Sequence, residues 1–193
     1  AEQVKITLVF SYIREYMLDY VTELLDEINQ WCEEKRQTVE VVVNDWGMAS
    51  LVKKGRRNLI PSLGILLNKR KKDPRVSFKK GEQKWLEMNS LNAGFYRNFL
   101  EREYGIQRFE WESCGYEQQI PPGKNSLHIP FYQTNTSQYC PLGAVCETGE
   151  RGRQKFAKKC PGYCAEYAFL YPEHLHMIGR YNSLFGIDMR ILK

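Results

Sequence analysis

Apolar residues recur at three-and-four spacing through Met17, Tyr20, Val21, Leu24, Leu25, Ile28, Trp31 and Cys32, which predicts one long amphipathic helix. Before it, Val4 to Phe10 alternates and is β-branched, as a strand is. After it, Val39, Val41, Val42 and Val43 form a near-continuous apolar run, the pattern of a strand covered on both faces. Asn44, Asp45 and Gly47 end that run, and a short helix from Met48 closes on Gly55. Further on, a short apolar segment spans Leu63 to Leu67. A helix over 90–105 turns Leu91, Phe95, Phe99 and Leu100 inward and ends at Gly105. Strands are expected over 106–114 and, after a Pro/Gly turn, over 126–133. Strand-like pieces follow from 166 to the end. The alternation of strand and helix predicts an α/β chain, either about half of a (β/α) barrel or an open sheet, folded as one domain over 1–193.

Composition narrows the classes. The chain has 193 residues, 42% hydrophobic and 26% charged, enough for a substantial core. It has no apolar run long enough for a membrane span and no visible signal peptide, which points to the cytoplasm. The net charge of +5 is unevenly placed. From Lys53 to Lys80 eleven basic residues face Asp73 alone, and the remainder carries 17 basic and 22 acidic residues. That segment reads either as a docking face for RNA or an acidic partner, or as a solvated surface.

The densest chemistry lies over 139–164. Cys140, Cys146, Cys160 and Cys164 follow a C-x5-C-x13-C-x3-C spacing. Disulfides suit small secreted domains short of core, which this chain is not. Zinc prefers tight pairs on both sides, and only Cys160 and Cys164 approach that. Iron–sulfur clusters accept looser, asymmetric spacing, and soft thiolates suit either metal. Gly143, Gly149, Gly152 and Gly162 let backbone amides approach, while Arg151, Arg153, Lys155, Lys158 and Lys159 offset the charge of ligated thiolates. The remaining reading is four unrelated thiols.

This spacing, after a strand running into its first cysteine ("LHIPFYQTNTSQYC"), resembles the cysteine motif of the collagenase-like peptidase family U32. "VVVNDWGM" and "SLNAGFYRNFLEREYGIQRFEWE" are similar to that family's Asn-Asp turn and its Asn-containing helix and strand. The resemblance, from about residue 39 to 164, implies a partial TIM-like barrel with a Cys-rich cluster-binding loop. It implies that Cys140, Cys146, Cys160 and Cys164 hold a 4Fe–4S cluster, with zinc as the alternative. It also implies a part in oxygen-independent hydroxylation, a related biosynthetic step or RNA modification, alone or as a homo- or hetero-oligomer with a related barrel protein.

Outside the thiols, polar residues at the carboxyl ends of strands are the candidates for substrate binding: Asn44, Asp45, Glu112 and His128. Asp45 has a second reading as a helix N-cap, and His128 as an ordinary strand histidine. The sequence has no HExxH, GxSxG or Gly-rich phosphate loop, so a peptidase has no nucleophile or zinc water to stand on. Two readings remain: an oxidoreductase or hydroxylase component carrying a cluster, and a non-catalytic RNA- or protein-binding subunit with a structural metal.

Overall fold

The computed structural model describes residues 5–70, 87–136, 139–151 and 162–192. Packing divides the chain into two compact units, one formed by Ala1–Arg70, Met88–Trp111 and Gln119–Ser126, the other by Lys71–Glu87, Glu112–Gln118 and Leu127–Lys193.

In the first unit the strands β1 (Thr7–Val9), β2 (Val39–Val43), β3 (Leu59–Leu63) and β4 (Arg108–Glu112) pair in parallel and in chain order. β5 (Lys124–His128) comes next in the same sheet. Helix α1 (Leu18–Lys35) joins β1 to β2, α2 (Trp46–Lys53) joins β2 to β3, and α3 (Gly94–Tyr104) precedes β4. Right-handed crossovers between strands laid down in order put every helix on the same face. This is a mixed α/β fold whose sheet is compatible with part of a barrel.

The core lies between that face and the helices. Val39, Val41, Val43, Leu59, Leu63, Phe109 and Trp111 pack with Val21, Leu25 and Cys32 of α1, Met48, Ala49 and Val52 of α2, and Leu100 of α3. The buried stripe of α1 is narrower than its periodicity predicts, since Met17, Tyr20 and Trp31 are exposed. On α3, Phe95 is 80% exposed, and Phe99, 38% exposed, lies over the half-buried Tyr96 and Tyr104. The expectation that both phenylalanines face inward is therefore corrected. Leu100 is the buried residue of α3, and Tyr96 and Tyr104, rather than the phenylalanines, pack beside it against the core.

β3 reads "LIPSL", with Pro61 opposite Val41 in the middle of the sheet. Proline donates no ladder hydrogen bond. Side chains supply extra links to β4: Ser62 Oγ donates to the Arg108 carbonyl at 3.2 Å, and Asn68 Nδ2 to that of Glu110 at 2.9 Å.

The second unit is built on an antiparallel sheet ordered β6 (Phe131–Thr136), β9 (Ser183–Ile187), β8 (Met177–Arg180) and β7 (Phe169–Leu170). The single strand expected over 126–133 is two strands in different sheets, separated at Pro130, which cannot donate to a ladder. β8 and β9 are joined by Tyr181 and Asn182, both at φ 52°, the two-residue left-handed turn that matches strand twist. Tyr132 is buried against Gly186, where an added Cβ would lie 2.2 Å from its ring.

Candidate metal centre and strand ends

Within the cysteine segment the chain forms a helix, α4 (Pro141–Thr148), rather than a continuous loop. Cys140 is its N-cap, Pro141 takes the first helical position, and Gly149 closes it in the left-handed region at φ 74°. These are the end signals of a helix, and they outweigh the glycine at 143. The Cys140 sulfur accepts the Gly143 N–H at 3.2 Å, the kind of backbone contact that metal-bound sulfurs also receive.

Cys140 is half-buried and Cys146, on α4, is exposed. Cys164 is half-buried in a 3-10 turn, Tyr163–Ala165, that packs against α4. None of the three is in a disulfide, nor are the buried Cys32 and Cys114. Cys160 lies outside the described residues. Six residues of helical rise set Cys140 and Cys146 about 9 Å apart along the axis. Thiolates on one zinc must lie within about 2.3 Å of it. As folded here, α4 therefore does not present these two sulfurs to one metal ion, and among the described residues no group of three or more Cys, His, Asp or Glu side chains is placed to hold one. The donor chemistry suits a thiolate centre, and the helical spacing argues against one ion shared by Cys140 and Cys146 but not against a cluster, whose thiolates bind separate irons.

The strand-end candidates are firmly engaged. Asn44 is 9% exposed and donates from Nδ2 to the Phe10 carbonyl at 2.8 Å, while its Oδ1 accepts the Leu66 N–H at 3.1 Å. Its side chain thus links the ends of β1 and β3. Gly64 makes room for it, because a Cβ there would lie 2.2 Å from Asn44 Oδ1. Asp45 caps α2, with Oδ1 accepting from Met48 N at 2.7 Å and Oδ2 from Ile13 N at 3.2 Å. Both residues hold the backbone at the strand ends.

In the second unit, Glu112 is buried and its Oε1 accepts the Gln133 N–H at 2.8 Å. That bond sits beside the bulge between Gln133 and Asn135. The Gln133 amide also donates to Thr136 and to Ser183 Oγ, forming a small polar network on β6 and β9. His128 is exposed, and its carbonyl accepts the Ser113 N–H at 3.0 Å.

Within the basic segment, Lys53, Arg56 and Arg57 have partners in the fold. Arg56 is only 6% exposed; it pairs with Asp26 at 2.8 Å and donates to the Leu51 and Thr22 carbonyls. Arg57 pairs with Glu33, and Lys53 donates to the Glu103 carbonyl. Residues 71–80 of the segment lie outside the described ones.

The sequence reading missed Asp188, whose carboxylate is fully buried and is gripped by Arg190 through Nε at 3.1 Å and a terminal nitrogen at 2.9 Å. Burial alone would raise its pKa. Hydrogen bonds from the Arg190 side chain and from the Gly115 and Arg190 backbone, with the Arg190 charge, outweigh that and hold it below the usual carboxylate range. The acid–base pair two residues apart in "IDMR" was its only trace in the sequence.

Comparison with protein-family models, curated proteins and solved structures returns no match. Among the described residues no helix is long and apolar enough to cross a membrane.

Proposed function

We propose that this chain is a thiolate metal protein of the U32 type, with Cys140, Cys146, Cys160 and Cys164 holding a 4Fe–4S cluster on a partial TIM-like barrel. The observation that carries this reading is the contrast among the thiols. Cys140, Cys146 and Cys164 are free, solvent-reachable and carried by elements packed on one another, whereas Cys32 and Cys114 are buried. A bound cluster supplies one-electron chemistry, suited to oxygen-independent hydroxylation or a related step. The chain's own residues supply the frame that Asn44 and Asp45 hold at the strand ends.

Anaerobic reconstitution with iron and sulfide tests the reading. The expected product is brown and carries about four irons per chain. Colourless protein with stoichiometric zinc would exclude the cluster. It would favour the second reading, a non-catalytic RNA- or protein-binding subunit with a structural metal. The engagement of Asn44 and Asp45 in backbone contacts favours that second reading over an enzyme.

Association with a related barrel protein or a second copy belongs to the same proposal. The sheet order ends at β1, where Val9 is 65% exposed, and soluble proteins seldom leave such an edge bare. Light scattering is expected to give a dimer or larger species. A fully loaded, active monomer would remove this part of the proposal.

A further inference from the structure

The amino ends of the parallel strands, opposite the ends marked by Asn44 and Asp45, border a cleft of about 1000 Å³ built wholly from the first unit. Lys5, Lys35, Arg36, Arg108 and Lys124 line it, with Glu40 as the only carboxylate in its wall. Glu40 is already committed, since it pairs with Arg108 and accepts from Thr7 Oγ1 at 3.2 Å. Lys5, Lys35, Arg36 and Lys124 are all exposed and leave the cleft strongly positive.

Its wall is not merely basic. Ile6 is 47% and Ile60 43% exposed, and both line it, giving an apolar surface among the cations. Water-facing isoleucines are common singly, but here two share a concave site with four cations. Such a combination matches a ligand with anionic groups at one end and an apolar or planar part at the other.

Arg36 adds a separate observation. It follows α1 in the left-handed region, at φ 52° and ψ 45°, where glycine is the usual and unstrained residue. A long cationic side chain is kept at a backbone position that disfavours it, and it lines the cleft. The negative end of α1 accounts for part of that preference through its dipole. It does not account for Lys5, which precedes β1, or Lys124, at the start of β5, which line the same cleft.

We propose that this cleft binds an organic phosphate with an apolar or planar part, of the nucleotide class, with Lys5, Lys35, Arg36 and Lys124 on the phosphates and Ile6 and Ile60 under the remainder. Charge-assisted contacts to phosphate are the strong ones in such a site. The site is independent of the thiols, so its test does not depend on metal loading.

Calorimetric titration of the full chain with adenosine triphosphate, and with adenosine, is the direct test. The triphosphate is expected to bind saturably and adenosine far more weakly. Reversing two cations together, K35E with R36E, is expected to weaken the triphosphate about a hundredfold. Reversing two exposed lysines outside the cleft, K54E with K69E, is expected to change it less than about twofold. R36G guards against simple misfolding: glycine relieves the left-handed residue, so the melting temperature should hold or rise while binding weakens about tenfold. Equal weakening in the control pair would reduce the effect to diffuse charge and overturn the proposal, as would the absence of saturable binding. Tighter binding of single-stranded RNA than of the triphosphate would also overturn it, making the cleft a nucleic-acid site.

Discussion

Changing any one of Cys140, Cys146, Cys160 or Cys164 to Ser is expected to strip the reconstituted protein of nearly all its iron and sulfide, to a similar extent at each position. A cluster is held as a unit, and a three-thiolate site sheds iron or degrades. Cys32→Ser and Cys114→Ser are expected to keep the full complement. Cys32 is fully buried in the core of the first unit, where burial pushes its thiol pKa up and away from the thiolate that binds metal. Serine there places a hydroxyl among apolar neighbours and costs on the order of 1–2 kcal/mol of stability, with no change in metal content. Cys114 is 2% exposed and its sulfur points to the Tyr116 carbonyl at 3.4 Å. Iron and sulfide analysis across the six variants checks the assignment. A set in which Cys32 or Cys114 proved essential while one of the four was dispensable would overturn it.

Arg190→Met is expected to destabilise the second unit by about 1–2 kcal/mol at neutral pH, below the scale for a fully buried ion pair because the Arg190 side chain is 47% exposed. The carboxylate of Asp188 would remain fully buried without its guanidinium, and the Tyr116 carbonyl would lose the donor that reaches it at 2.8 Å. The pH dependence separates this cause from lost packing. Asp188 has a folded pKa below its unfolded value, so it stabilises the native state above the ordinary carboxylate range. That contribution is lost as pH falls from about 4 through the folded pKa. In the variant only the backbone N–H groups of Gly115 and Arg190 still oppose burial, so the folded pKa rises from its native position. The gap between native and variant stability should therefore shrink on acidification. Denaturant titrations from neutral pH downward measure it, and a gap that stayed constant would show that packing, not charge, was lost.

The elements legible in the sequence were those whose apolar pattern is long or unmixed. β2 carries four valines, α1 keeps a stripe through Val21, Leu25 and Cys32, and the helix ending at Gly105 closes where that glycine takes φ 70°. β3 escaped notice because Pro61 and Ser62 break the signature of a central strand, although tertiary burial holds both there. The antiparallel sheet was read only as loose strand-like pieces. Its strands are two to six residues long and mostly half-exposed, so they carry little period-two contrast. α4 was hidden by the attention its thiols draw, though a proline at its start and a glycine past its end were in plain view. Of the candidate site, spacing could nominate thiols and strand-end polar groups. It could not show that Asn44 and Asp45 already spend their hydrogen bonds on the backbone, because their partners at Phe10, Ile13 and Leu66 come from other elements.

The fit of the Asn44 side chain into the space left at Gly64 binds two positions, one after each of two neighbouring strands, into a single hereditary choice. A methyl group at 64 is admissible only where the residue at 44 has become smaller, and a smaller residue at 44 surrenders the links to Phe10 and Leu66. In descendants of this chain the two sites should therefore drift together or not at all. An Asn paired with Gly at these places would mark chains that fold β1, β2 and β3 alike, even after the valines around them have been exchanged.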